Sequence, residues 1–174
     1  MSYNDWEIVQ LEKLIELQID NRGRNPEKYY SNSRYPVIDN YLIKNQKHPN
    51  LKEANRYIDQ HTFDNFLRGH VKKGDVLITL VGNGIGNLTT CSTCECAIIQ
   101  NTLGLRSNVR MTNDFLYYSL LNKQDTIKKF DRGSSQPSIR KTDLLSMEIE
   151  VPPILEQKAI ANILSSFDDK IEVN

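Results

Sequence analysis

Some residues of this 174-residue chain have types and spacings that could do chemistry. Glu156-Gln157-Lys158 is an E-x-K which, joined by Asp143 upstream, would supply the carboxylates and lysine of a magnesium-dependent nuclease. That chemistry takes Glu and Lys from one face of a strand, where residues two apart align, whereas here the pair falls in a helical pattern and diverges. Cys91, Cys94 and Cys96, packed as CSTCEC, would offer zinc three thiolates, but structural zinc normally takes four ligands, and His48, His61 and His70 are remote in sequence. Reduced thiols in a hairpin strand are the expectation. Gly82, Gly84 and Gly86 repeat as G-x-G-x-G, whereas a dinucleotide fingerprint has its third glycine three positions after the second and opens a helix. Turn chemistry is the preferred reading there. There is no Walker loop, H-E-x-x-H or G-x-S-x-G.

Two polar segments suit recognition instead. Arg22, Arg24, Asn25, Lys28, Tyr29 and Tyr30 combine phosphate and base-edge donors with rings that can stack. Ser134, Ser135, Gln136 and Ser138, with Arg140 and Lys141 close behind, add hydroxyls and a carboxamide able to match adenine. Each segment, taken singly, also reads as a solvated turn. Lys plus Arg equal Asp plus Glu at 22 each, which counts against autonomous tight DNA binding and leaves only local basic patches.

The elements that must position these groups can be read from pattern. A 39% hydrophobic, 25% charged chain of this length makes one globular unit with a core, and no apolar run reaches the length of a membrane span. The first residues, MSYNDWEIVQLEKL, lack a basic region followed by an apolar one, so a cytoplasmic location is expected and the Asn87-Leu88-Thr89 sequon would go unused. Trp6 to Ile19 reads as a short strand or turn feeding a helix through Leu11, Leu14, Ile15 and Leu17, and Asp20 to Ser33 as a long loop. Tyr35 to Ile38 and Tyr41 to Ile43 read as strands, and Asp59 to Leu67 as a helix ending at Gly69. Val76 to Val81 opens a hairpin whose Asn83-Gly84 suits a type I′ turn, and Cys96 to Gln100 and Leu103 to Leu105 are further strands. A helix capped by Thr112 or Asn113 runs to Arg132-Gly133, and a strand spans Met147 to Val151. There is no internal repeat.

Pro152 and Pro153 end that strand and suit the first turn of a helix. Ile160, Leu164, Phe167 and Ile171 then step by four, three and four, the a/d seam of a coiled coil facing a partner. The same spacing equally buries a terminal helix on its own domain. The seam still runs at Asn174, which implies a truncated chain or a partner helix that completes it.

Taken together, Trp6-Glu7-Ile8-Val9-Gln10-Leu11, Gly74-Asp75-Val76-Leu77-Ile78 with Val81-Gly82, Gly133-Ser134-Ser135-Gln136-Pro137-Ser138-Ile139, and Val151-Pro152-Pro153-Ile154-Leu155-Glu156-Gln157-Lys158-Ala159-Ile160 strongly resemble the DNA specificity (S) subunit of type I restriction-modification systems. The most specific part is P-P-x-x-E-Q-x-x-I followed by an acidic helix. The resemblance covers one target recognition domain and the start of its spacer helix. It implies a non-catalytic reader of double-stranded DNA that directs methyltransferase (M) and restriction (R) subunits to one half of a bipartite site. It implies no cofactor in this chain; adenosylmethionine, ATP and Mg2+ belong to the partner subunits. A second recognition domain, or a second copy, would join through the spacer helix.

The expectation is therefore an α/β (α+β) fold, a curved and mostly antiparallel sheet with flanking helices, with a recognition domain over residues 1–152 and a coiled-coil helix over 153–174. Arg22, Arg24, Asn25, Lys28, Tyr29, Ser134, Ser135, Gln136, Ser138 and Arg140 are the expected DNA contacts, and Ile160, Leu164, Phe167 and Ile171 the partner face. The rivals are a nuclease through Asp143, Glu156 and Lys158, tested by plasmid cleavage with magnesium, and a protein-only interaction module, to which the neutral charge is suited.

Overall fold

The computed structural model describes residues 5–133 and 135–172, with side chains to 168. Ser134 and the side chain of Ile171 therefore lie outside the described residues. Strands and helices mix as expected, but the strands form three antiparallel sheets rather than one. The largest has the order β2 (Ile15–Asp20), β7 (Thr102–Ser107), β5 (Val76–Thr79), β6 (Leu88–Thr90). A second pairs β1 (Glu7–Gln10) with β8 (Glu148–Val151), and a third pairs β3 (Tyr35–Pro36) with β4 (Tyr57–Ile58).

β5 is buried throughout because both faces of its sheet are covered. Val76, Ile78 and Leu80 point into the main core with Leu103, Leu105 and the inner face of helix α2 (Asn113–Asn122). Leu77 points the other way, onto Ile19, Ile38, Leu42, Val71 and Ile98. A satellite cluster of Tyr35, Ile58, Phe63 and Leu67 seats α1 (Gln60–Phe66). Asp75, buried before β5, accepts from Arg106 at 2.8 and 2.7 Å and from the Lys72 N–H at 2.7 Å, which gives the Gly74-Asp75 pair its place.

Where the signals are local, the expectations hold. Asp59 caps α1 through the Thr62 N–H, Thr112 caps α2 through the Phe115 N–H, and after Pro152-Pro153 the long helix α5 runs Ile154–Glu172. Elsewhere the structure corrects them. Leu11–Leu14 is one 3-10 turn, not a helix, and the chain continues directly into β2, since the Leu11 N–H bonds Met147 O and Leu14 O accepts from the Asn108 N–H. Tyr41 and Leu42 belong to the 3-10 turn Asn40–Leu42 rather than to a strand. Residues 96–100 form no strand, although 96–99 are buried; Ala97 bridges Val37, and Ile98 O accepts from the Asn21 amide. The helix expected to reach Arg132 breaks at Lys123 into α2 and α3 (Gln124–Lys128). A further short helix, α4 (Lys141–Leu145), escapes the sequence reading.

β5 and β6 do form a hairpin, but not through a type I′ turn. Positive φ falls at Gly82, Gly84 and Gly86, and Asn83 is not among the described residues with φ above zero. The loop is wider, closed by the Gly86 N–H on Thr79 O and the Asn87 N–H on Gly84 O. The cysteines follow β6 in a loop rather than sitting in a strand. Cys91 and Cys96 are buried with sulfurs 3.0 Å apart, while Cys94 is exposed.

Candidate nucleic-acid interface

Antiparallel register decides which loops meet. Asp20 faces Leu103, Thr79 faces Thr102 and Ile78 faces Leu88, so the end of β2, the start of β7, the end of β5 and the start of β6 share one end of the main sheet. The loop after Asp20, the Gly82–Asn87 loop and Asn101 therefore converge there. The segment 135–140 joins them: Val81 bridges Ser138, and the Gly82 N–H donates to Pro137 O at 2.8 Å. At the opposite end Ile15 faces Ser107 and Val76 faces Thr90.

Helix α5 is anchored at that opposite end. Gln157 is fully buried; its Oε1 accepts from the Thr112 N–H at 2.9 Å, and its Nε2 donates to Arg110 O and Pro152 O, each at 2.9 Å. Lys47 Nζ meets Ser165 Oγ at 2.6 Å, and the Tyr118 hydroxyl donates to Asp168 at 2.6 Å. Burial and that carboxylate together push the Tyr118 phenol well up.

The expected DNA-contacting residues divide by how far they are committed within the protein. Arg22 grips Asp20 through Nε at 2.8 Å and a terminal nitrogen at 2.7 Å, and Lys141 Nζ reaches the same carboxylate at 3.1 Å. The Arg22 guanidinium holds the Asp20 carboxyl well below the usual carboxylate range. Arg22 therefore positions its loop more than it offers a hand to a ligand, and Asp20 two residues earlier is the sequence signal for this. The Arg24 guanidinium lies 5.6 Å from the Phe66 ring, Lys28 Nζ 4.6 Å from the Tyr30 ring, and Tyr29 under Arg56 at 4.5 Å. Asn25 Oδ1 accepts from the Tyr29 hydroxyl at 3.0 Å.

In the second loop, the Gly133 and Ser138 N–H groups both donate to Asp131, at 2.9 and 2.8 Å, and lower its carboxyl below the ordinary range. That turn requires glycine at 133, where a Cβ would fall 1.8 Å from Gln136 O. Ser135, Gln136 and Arg140 are left exposed. The sequence reading missed Asn40, Asn55, Arg56, Asn83 and Asn101, which line an open groove of about 710 Å³ beside these loops.

The expected partner seam is split. Ile160 packs against the main core, and with Leu164 it lines a small cavity of about 170 Å³ together with Trp6, Phe115 and Tyr118. Phe167 is exposed, as are Leu155 at 82% and Ile163 at 59%, so the outward apolar stripe runs through 155, 163 and 167, spaced by multiples of four.

The residues of the nuclease reading have separate neighbours: Asp143 pairs with Arg132 at 2.8 Å, the Trp6 indole donates to Glu156 at 3.3 Å, and Lys158 is exposed. Among the described residues, no group of three or more His, Cys, Asp or Glu side chains is placed to hold a metal ion. No helix among them is long and apolar enough to cross a membrane.

A layered α/β domain with its polar loops at one sheet end and a long helix clamped at the other has the form of a recognition module. Residues 3–174 match the type I restriction modification DNA specificity domain, and the chain belongs to that family. It is 25% identical over 177 residues to the type I restriction enzyme MjaVIII specificity subunit of Methanocaldococcus jannaschii, covering 97% of this chain and 41% of that protein. It is 29% identical over 176 residues to a putative type I restriction enzyme MjaX specificity subunit of the same organism, covering 97% of this chain and 38% of that one. The crystal structure of the HsdS subunit from Thermoanaerobacter tengcongensis shares the fold, with a TM-score of 0.69 at 18% identity over 97% of this chain and 38% of that one. The chain thus spans about two fifths of the length of the relatives it matches. Membership of this family does not favour the nuclease.

Proposed function

We propose that this chain reads one half of a bipartite site on double-stranded DNA for a type I restriction-modification complex, and that it is not itself catalytic. The observation that carries the proposal is the division of the domain in a member of the specificity family. Loops bearing Arg24, Asn25, Lys28, Ser135, Gln136 and Arg140 gather at one end of the main sheet, and α5 leaves from the other. Such loops serve phosphate and base-edge contacts from a rigid scaffold. Residues 1–152 act as the recognition domain, and 153–174 begin a spacer through which a methyltransferase subunit and a second recognition domain or second copy are met. The outward Leu155 and Ile163 support that role, since exposed apolar side chains in one stripe suit a partner helix. The restriction subunit joins through the complex, and adenosylmethionine, ATP and Mg2+ are used by the partner subunits.

The test is to co-express the chain with the methyltransferase subunit of its system and sequence the modified sites in host DNA. Modification at a defined half-site, or at its palindrome if two copies pair, is the expected result. A stable complex that leaves no sequence-specific mark would refute the reading role.

A further inference from the structure

The Gly82–Asn87 loop stands between two grooves, one of about 710 Å³ on the side of Asn40, Arg56 and Asn101, the other of about 400 Å³ on the side of Lys128 and Pro137. It is held from both flanks. Asn40 Nδ2 donates to Val81 O at 2.8 Å and to Asn83 O at 3.3 Å, Gly82 donates to Pro137 O, and Asn87 Nδ2 donates to Ile43 O at 3.0 Å. Those carboxamides are spent on shaping the ridge. A Cβ at Gly82 would lie 3.4 Å from Asn40 Nδ2 and 3.5 Å from Gln136 Nε2, so both amides close on the base of the ridge.

Around this ridge the free hydrogen-bonding groups include four carboxamides beside the Ser135 and Ser138 hydroxyls. Among the described residues, Asn55, Asn83, Asn101 and Gln136 make no side-chain hydrogen bond. Most cations nearby are committed internally: Arg22 and Lys141 to Asp20, Arg56 to Asp39, Lys44 to Glu53, Arg132 to Asp143. Lys128 and Arg140 are exposed. A phosphate-only surface would present cations, whereas neutral carboxamides are side chains that read base edges, with Asn or Gln matching N6 and N7 of adenine in the major groove. The major groove also admits a two-stranded ribbon, which is what the β5–β6 hairpin brings to it.

We infer that the Gly82–Asn87 ridge is the base-reading element, with its exposed Asn83, and Asn101 and Gln136 beside it, facing A·T pairs, while Lys128 and Arg140 contact phosphates. This rests on the DNA-reading function proposed above and adds which residues set the sequence. The experiment selects duplexes from a randomised library with the chain in complex with its methyltransferase subunit. N83A, N101A and Q136A are compared with the unaltered chain and with K73A, which lies by the turn at the far end of the sheet. N83A and Q136A should each relax the choice at one or two A·T positions by about 10-fold or more, with K73A selecting the original motif. K128A should weaken all duplexes alike and lower the salt slope by about one. If the unaltered complex selects a motif and all three amide variants select the same one, the ridge is not the reader although the DNA-reading function stands. Relaxation at G·C positions would overturn the match to adenine. If the unaltered complex selects no motif, the function itself fails, and the inference with it.

Discussion

Lys141 Nζ lies 3.1 Å from Asp20 Oδ2, the oxygen that also receives Arg22, so one carboxylate ties the start of the first polar loop to the residue that follows the second. The loops are 121 residues apart in sequence at this contact and are held in one arrangement by a single side chain. Pre-organised loops lose less entropy on binding than free ones.

Replacing that carboxylate should therefore loosen both loops. D20N is expected to cost about 1–2 kcal/mol by denaturant midpoint, below the usual value for hydrogen bonds to charged groups because the site is partly open to solvent. The same variant should weaken the preference for the cognate sequence more than it weakens non-specific binding.

The tie also has a pH dependence of fixed sign. Asp20 ionises well below the usual carboxylate range in the folded chain, so the unfolded state takes up the proton first as pH falls. Its contribution is complete above the ordinary Asp value of about 3.9 and is lost as the pH drops from there towards the folded value. The gap in stability between the unaltered chain and D20N should be constant from about pH 7 to 5 and close in stronger acid. A gap that widened in acid would refute this account of Asp20.

Gln157 is the clamp of α5, and Q157L should leave the Thr112 N–H and the Arg110 and Pro152 carbonyls without their partner. A loss of about 2–3 kcal/mol is expected. Hydrogen exchange should quicken in α5 before it quickens in β5 and β7.

G133A should be disproportionately harmful for an exposed position, because the added carbon would meet Gln136 O at 1.8 Å and the turn must open. A cost of about 1–3 kcal/mol follows from overpacking of this kind. A 2-D NMR comparison should show the perturbation concentrated in residues 131–139 and 80–82, where the turn is hydrogen-bonded to the ridge.

Cysteine labelling should follow burial. Native protein should react at Cys94, and Cys91 and Cys96 should react only on unfolding, since both are buried and the Cys91 contact and burial push the Cys96 thiol up. Rapid labelling of either buried thiol in native protein would contradict the packing described.

What the sequence revealed was mostly local chemistry. Asp59, Thr112, and Pro152-Pro153 mark helix starts through atoms within a few residues, and the buried run of β5 announces itself. Leu11, Leu14 and Ile15 misled because a 3-10 turn leading into a strand gives nearly the spacing of a helix, and its partners, Met147 and Asn108, lie far along the chain. The Gly82–Asn87 sequence shows only turn chemistry, because the loop's wide shape depends on Asn40 and Pro137. Arg22 reads in sequence as a free donor, although Asp20 two residues earlier is close enough to pair with it. The asparagines of the groove are scattered from 40 to 101, and only strand register brings them to one end.

The division of labour between the two ends can be tested by photo-crosslinking in the assembled complex with duplex DNA. A crosslinking side chain at position 83 or 136 should attach to DNA, and one at position 155 or 163 should attach to protein. Crosslinks to DNA from 155 or 163, with none from 83 or 136, would contradict the account.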